Sequence, residues 1–287
     1  MTLKDLIYKG IETISALYPE GEAREMVFAY LEDTIGTKRH THILEPEYSV
    51  PESVVAKASA DFGRMAQGEP LQYVTGKAWF CGREFKVSPS VLIPRQETEM
   101  LPGLIPSGAA RALDLCTGSG CIAWTIALDN PGMQVVAVDL SAEALEVASS
   151  QVFLQEHGSF RPQFIAADVL DSESLVGTLL SVSPDGFDII VSNPPYVRDS
   201  EKALMRTNVL DHEPHLALFV SDDDPLVFYR AVARCSAGLL STGGTGVVEI
   251  NEAFGRQTAG VFTEAGFNDV EIIQDLHGRD RFVRYRR

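Results

Sequence analysis

Four consecutive residues, Asn193-Pro194-Pro195-Tyr196, follow the apolar run Phe187-Asp188-Ile189-Ile190-Val191 and have the make-up of a binding turn. Each proline lacks an N–H and fixes its φ, so the pair cannot continue a sheet. Pro194 and Pro195 stiffen the turn and leave nearby carbonyls without a local partner. A planar nitrogen, either an amide or an exocyclic amine, suits such a turn as a methyl acceptor. Its lone pair is delocalised, and its two N–H hydrogens match the side-chain oxygen of Asn193 and the carbonyl of Pro194. Tyr196 is expected to stack on the acceptor's flat face. Holding the reacting atoms in line supplies much of the rate.

A second constellation lies upstream, in "ALDLCTGSGCIA". Gly118 and Gly120 permit tight turns and close approach of a ligand, and the helix beginning there offers unpaired N–H groups. Asp139, at the end of the next strand, has the spacing of an acid that holds both hydroxyls of a ribose. The loop Cys116-Thr117-Gly118-Ser119-Gly120 therefore implies an adenosine-containing cofactor. A dinucleotide fingerprint reads G-x-G-x-x-G, whereas here Ala123 takes the last place and Asp114 precedes the loop. Asp114 would repel a pyrophosphate but attract the ammonium of a zwitterion, which favours S-adenosylmethionine over NAD. Asp168, in "FIAADVL", reads either as a contact near the adenine or as a helix N-cap. Asn193 leaves its strand at the same edge as Gly118 and Asp139.

These residues need a scaffold that brings strand ends together. After residue 110, strands and helices alternate. Strands are expected at 111–115, 134–138, 163–166, 187–191, 246–250, 270–273 and 281–285. Helices are expected at 120–128, 141–156, 171–180 and 224–240, with one more after 250. This alternation implies an α/β fold with a parallel sheet and helices on both faces, binding ligands at the carboxyl ends of the strands. The first 75 residues read instead as a small helical bundle. Leu3, Leu6, Ile7, Ile11, Ile14 and Leu17 recur at helical spacing, and Thr2 with Asp5 resembles a capping box. Gly36 and Pro51 mark breaks. Residues 76–100 form a connector, with a hairpin around Cys81-Gly82. The expected domains are thus 1–75, a recognition bundle; 76–100, the connector; and 101–287, the cofactor-binding and catalytic domain.

The totals narrow the function. The net charge of −16 disfavours non-specific nucleic-acid binding, and the bundle, with seven basic and twelve acidic side chains, is no basic arm. The arginine-rich C-terminus reads as a solvated strand end. Four cysteines form no CxxC pairs, and His40-Thr41-His42 lacks a partner motif, so no metal is expected. The charged N-terminus is a poor signal peptide and no apolar run is long enough to span a bilayer. A cytoplasmic monomer without membrane contact is expected. Several residues carry two readings. Arg95, Glu97 and Thr98 either close the cofactor pocket or make surface ion pairs. Glu249 is a site group or a helix cap. Trp79 and Phe80 either touch a protein substrate or, the favoured reading, pack in the hairpin core, and Trp124 is read as helix core.

Gly118-x-Gly120, Asp139 and Asn193-Pro194-Pro195-Tyr196 resemble the amino-methyltransferases of planar nitrogens. More narrowly, the chain resembles the bacterial release-factor glutamine methyltransferases, the PrmC/HemK family. The resemblance runs nearly end to end: "GEPLQYVTGKAWFCGREFKV" and "VLIPRQETE" look like the family's connector and "HEPHLAL" like its post-catalytic loop. It implies a Rossmann-like seven-stranded methyltransferase sheet with a small N-terminal helical bundle, joined by a β-hairpin connector. The implied reaction is methylation of the side-chain amide nitrogen (N5) of the glutamine in the Gly-Gly-Gln loop of peptide chain release factors. It also implies that Val169 faces the adenine and that Asn193 adjoins the cofactor. Cys116, Gln96 and His212 depart from the family's usual glycine, proline and tyrosine. Two rival acceptors remain: a glutamine of a large-subunit ribosomal protein, and adenine in DNA. An adenosine-binding module without catalysis is the reading outside enzymes.

Overall fold

In the computed structural model, which describes residues 1–153 and 160–287, the chain begins on the capping box. Thr2 Oγ1 accepts from the Asp5 amide at 3.1 Å and the Asp5 carboxylate reaches back to the Thr2 amide at 3.4 Å, satisfying donors that a helix start otherwise leaves open. Helix α1 (Leu3–Ile14) is followed by α2 (Glu20–Ile35), α3 (Thr41–Leu44), α4 (Glu52–Ala66) and α5 (Leu71–Thr75). Gly36, at φ +70°, ends α2, and Pro51 stands at the N-cap of α4. The predicted stripes converge: Leu6, Ile14, Val27, Leu31, Phe62 and Met65 share one buried cluster. Residues 1–77 form a compact unit together with a distant segment, 205–213. Arg206 of that segment pairs with Glu22 of α2 at 2.8 Å. No sequence signal marks this return of the chain.

The second unit comprises residues 78–204 and 214–287. Strands β1 (Lys77–Phe80) and β2 (Arg83–Lys86) make the expected hairpin. Its two turn residues, Cys81 and Gly82, both have positive φ, +48° and +72°, as a two-residue turn matched to strand twist requires. Phe80 and Phe85 are fully buried, while Trp79 is 61% exposed. Trp79 therefore does not pack in the hairpin core as expected, because alternation along β1 sends it outward.

Beyond the hairpin come β3 (Arg111–Leu115), α6 (Cys121–Asp129), β4 (Gln134–Asp139), α7 (Ala142–Ser150), β5 (Gln163–Ala166), α8 (Ser172–Val182) and β6 (Phe187–Ser192). The short β7 (Val197–Arg198), α9 (Thr207–His212) and β8 (Phe219–Val220) precede α10 (Val227–Leu239), β9 (Leu240–Glu249), α11 (Gly255–Glu264), β10 (Asn268–Gln274) and β11 (Asp280–Arg286). One seven-stranded sheet has the order β10-β11-β9-β6-β3-β4-β5. β3, β4, β5, β6 and β9 run parallel, and β11 lies antiparallel between β9 and β10. This is a Rossmann-like methyltransferase sheet. Successive strand residues serve opposite faces. Leu113 and Leu115 join Leu179, Val232 and Phe262 on one side, while Ala112 joins Ile122, Trp124 and Phe80 on the other.

Two boundaries differ from the sequence expectation. β9 starts at Leu240, six residues early, with a register irregularity where it pairs β6; the run Ser241-Thr242-Gly243-Gly244 lacks the apolar side chains that would mark a strand. Helix α7 ends at Ser150, short of the expected 156, and positions 154–156 lie outside the described residues. Three C-terminal arginines are paired: Arg281 with the buried Asp275, and at the strand surface Arg284 with Glu271 and Arg286 with Asp269. No helix among the described residues is long and apolar enough to cross a membrane.

Candidate active site

Strand order reverses between β3 and β6, and the carboxyl ends of these two strands open a crevice. β3 passes into α6 through Cys116–Gly120, a loop with three left-handed residues: Cys116 at φ +63°, Gly118 at +55° and Gly120 at +79°. The Thr117 amide donates to the Val138 carbonyl at 3.0 Å and that of Gly120 to the Thr117 carbonyl at 2.9 Å, which ties the loop to β4. Cys116 carries a Cβ in a conformation that glycine adopts freely, at a cost of roughly 1 kcal/mol. Its thiol is kept neutral by burial and by the carboxylates of Asp139 and Asp114. A Cβ on Gly120 would approach Ala148 at 3.0 Å, whereas one on Gly118 would meet no protein atom within 4 Å. Gly120 thus serves helix packing, and Gly118 leaves room for something that is not protein.

Asp139 closes β4 beside this space. Its Oδ2 accepts from the Gly118 amide at 2.8 Å and its Oδ1 from the Ser141 amide at 3.0 Å. Each oxygen keeps a further lone pair for a ligand hydroxyl. Burial raises the Asp139 carboxyl above its usual range, against the pull of the Ser141 and Gly118 bonds. Gln151 braces the loop from behind: its Nε2 donates to the carbonyls of Ser119 at 3.2 Å and Lys86 at 2.8 Å, and its Oε1 accepts from the Lys86 amide at 2.9 Å. The sequence reading did not single out Gln151, whose partners lie 32 and 65 positions away.

One cavity joins the two predicted constellations. Cys116, Thr117, Gly118, Ser119 and Asp139 line it on one side, Asp168 and Val169 on a second, and Asn193 and Pro195 on a third. Arg95 and Thr98 of the connector and Pro214 of the later loop complete it, while Glu97 is exposed. Asp168 is not the N-cap of α8; Asp171 is, accepting from the Ser174 amide, and Asp168 holds its own turn through the Leu170 amide at 2.8 Å. Asp114 does not line the cavity. It is fully buried under the loop, where Oδ2 accepts from the Thr117 hydroxyl at 2.6 Å and Oδ1 has no hydrogen-bond partner among the described residues. The expectation that it attracts a ligand ammonium, directly or through water, meets a carboxylate sealed from the cavity that supports Thr117 instead.

The acceptor turn differs from expectation at two residues, Pro194 and Tyr196. Asn193 faces the cavity, and its Nδ2 donates to Thr98 Oγ1 at 3.3 Å. Thr98, 2% exposed, donates in turn to Glu249 Oε2 at 2.7 Å. Tyr196 is directed the other way: its ring packs against the sheet core and its hydroxyl donates to Glu249 Oε1 at 2.9 Å. It does not line the cavity, nor does the buried Pro194. Glu249 is no helix cap, since Asn251 caps the following turn. Burial raises its carboxyl above the usual range, opposed by the Thr98 and Tyr196 bonds and the charge of Arg281.

Comparison with known proteins matches the chain to one lineage. The family model described as "PrmC N-terminal domain" matches residues 6–76 and the "Methyltransferase small domain" matches 75–216. A release factor glutamine methyltransferase of Bacteroides thetaiotaomicron is 45% identical over 224 residues, 77% of each chain. The chain belongs to the release factor glutamine methyltransferase family. Its namesake in Flavobacterium psychrophilum is 33% identical across 99% of both chains. A solved protein-(glutamine-N5) methyltransferase (release factor-specific) from Alicyclobacillus acidocaldarius is 29% identical, with 70% of this chain and 98% of that chain covered at a TM-score of 0.42.

Family membership makes the chain an S-adenosylmethionine-dependent methyltransferase, and its residues fit that cofactor. The open space over Gly118 admits a ligand against the backbone, Asp139 offers acceptors for a diol, and Val169, 5% exposed, gives an apolar wall. Among the described residues no group of three or more His, Cys, Asp or Glu side chains could hold a metal. Gly118→Ala puts a methyl group into that space and a Cβ at φ +55°. We expect a destabilisation of about 1–2 kcal/mol from the backbone alone, and at least about tenfold weaker cofactor binding by calorimetry. Unchanged affinity would show that the cofactor does not lie over Gly118.

Asp114 yields a pH prediction. Burial pushes its carboxyl up to about 7 from 3.8, with Thr117 opposing and Asp139 adding to the rise. A raised folded-state value means that the group's stabilising contribution is complete below 3.8 and is lost as pH climbs through about 7. Asp114→Asn keeps an acceptor for Thr117 and removes the charge. Relative to the native chain it should gain on the order of 1 kcal/mol between pH 6 and pH 8, read as melting temperatures of the cofactor-free proteins. Parallel pH curves for the two proteins would refute the assignment.

Proposed function

We propose that this protein transfers a methyl group from S-adenosylmethionine to the side-chain amide nitrogen (N5) of the glutamine in the Gly-Gly-Gln loop of peptide chain release factors. The observation that carries the reading is the state of Asn193. Its NH2 is bonded to Thr98, while its Oδ1, at a cavity shared with the cofactor loop, accepts no hydrogen bond from the described residues. The Pro194 carbonyl likewise accepts no hydrogen bond from the described residues. Two acceptors held by a rigid turn match the two N–H groups of a primary amide.

In this reading the loop Cys116–Gly120 and Asp139 seat the cofactor, with Asp168 and Val169 beside its adenine. S-adenosylmethionine, when bound, supplies an electrophilic methyl group on a sulfonium. Asn193 and Pro194 accept the amide's hydrogens, orient its nitrogen along the line of attack and draw electron density onto it. Pro195 keeps the turn stiff. As the N–C bond forms and the C–S bond breaks to leave S-adenosylhomocysteine, a neutral thioether, the nitrogen gives one proton to solvent during or after attack, so no strong base is needed before it. Tyr196 acts in this account by holding Glu249. The helical unit, matched by the PrmC N-terminal model, serves recognition of the protein substrate.

The test offers labelled S-adenosylmethionine with release factor, with large-subunit ribosomal proteins and with duplex DNA in separate incubations. Label should enter release factor and vanish when its loop glutamine is replaced by alanine. Label confined to ribosomal protein or to DNA overturns the substrate assignment.

A further inference from the structure

The hydroxyl of Thr98 lies between two groups of unequal chemistry. Oε2 of Glu249 is 2.7 Å away on one side and Nδ2 of Asn193 is 3.3 Å away on the other. A hydroxyl has one proton to give, and a carboxylate can only accept. Glu249 therefore takes the Thr98 proton, and the side of Thr98 facing Asn193 presents lone pairs alone. Only the NH2 end of the Asn193 carboxamide can be satisfied there. The two ends of a carboxamide have nearly the same shape, so the hydrogen-bond network decides which faces where. The second carboxylate oxygen is held by the Tyr196 hydroxyl at 2.9 Å, which fixes the carboxylate itself. Register supports the arrangement: Ser192 of β6 pairs Val248 of β9, so Asn193 and Glu249 leave adjacent strands together.

We propose that Thr98 and Glu249 are positioning residues that set the polarity of Asn193, turning its oxygen to the acceptor and making the site selective for a nitrogen that donates two hydrogens. This rests on the reading of Asn193 as acceptor-gripping. With the relay in place, a carboxylate or ether in the acceptor position faces an oxygen and is refused; an amide NH2 is received. Tyr196 belongs to the same relay and not to the wall of the site. The Thr98–Glu249 link spans 151 positions in the sequence, so the connector supplies a part of the catalytic turn that no local motif contains.

The relay acts only through Asn193, and a double-mutant cycle reads that dependence. In the otherwise native chain Thr98→Val removes the hydroxyl at nearly constant volume and should lower kcat about tenfold, the worth of one net hydrogen bond, with cofactor affinity changed by less than about threefold. Thr98→Ser, which restores the hydroxyl, should recover most of that loss. In an Asn193→Ala background Thr98→Val should cost less than about twofold, because the group it orients is gone. Glu249→Met, which leaves no oxygen to accept the Thr98 proton, should behave as Thr98→Val does in both backgrounds. The assay uses labelled S-adenosylmethionine and release factor. Equal losses from Thr98→Val with and without Asn193, or no recovery with serine, overturn the proposal. A native chain that methylates DNA or ribosomal protein and not release factor overturns the substrate reading instead; the same cycle, run on the substrate found, then tests the relay.

Discussion

Asp139→Ala should weaken cofactor binding by roughly two to three orders of magnitude, measured by calorimetry. Two losses combine. The side chain offers lone pairs to a ligand diol, and hydrogen bonds to a charged acceptor are each worth about 1.5–3 kcal/mol. It also holds the loop: the Gly118 amide at 2.8 Å and the Ser141 amide at 3.0 Å both end on its carboxylate. Removing it frees two backbone donors and the left-handed turn they stabilise. Asp139→Asn keeps one acceptor oxygen and should fall between the native chain and alanine. Turnover at saturating cofactor should fall far less than affinity. A cofactor dissociation constant unchanged in the alanine variant would remove Asp139 from the binding site.

Asn193→Ala is expected to show the opposite pattern, with kcat lowered about 100- to 1000-fold, as when a single preorganised donor or acceptor is deleted from a reacting centre. Cofactor affinity should stay within about threefold. The asymmetry follows from the location of Asn193, which leaves β6 across the crevice from the loop after β3 and is anchored to Thr98 and not to the cofactor loop. Loss of affinity and of turnover by the same factor would argue that Asn193 holds the cofactor alone.

Much of this site was legible because its chemistry sits at strand ends. The apolar runs 111–115, 134–138 and 187–191 announce three neighbouring strands, and Gly118, Asp139 and Asn193 each stand just past one of them. Local sequence therefore shows both the element and the residue it presents. The relay behind Asn193 is different. Thr98, Asn193 and Glu249 meet only because β9 pairs β6 and the connector folds over both strand ends, and nothing near Thr98 in the sequence points 151 positions ahead. Tyr196 was misread for a related reason: an aromatic beside a binding turn stacks on a ligand or faces inward, and the buried partner Glu249 decides for the core. Asp114 was misjudged because pattern alone cannot separate a strand's last exposed carboxylate from one sealed beneath the following loop. Gln151 escaped notice because its bonds all end on backbone groups of two distant residues, Lys86 and Ser119.

The helical unit is discontinuous: residues 1–77 are joined by 205–213. During translation the amino-terminal helices leave the ribosome well before their last supporting segment, with helix α9, has been made. At ordinary elongation rates the delay is on the order of ten seconds. For that interval the nascent helices lack the Arg206 partner of Glu22, so the unit is finished only late in the polypeptide's birth.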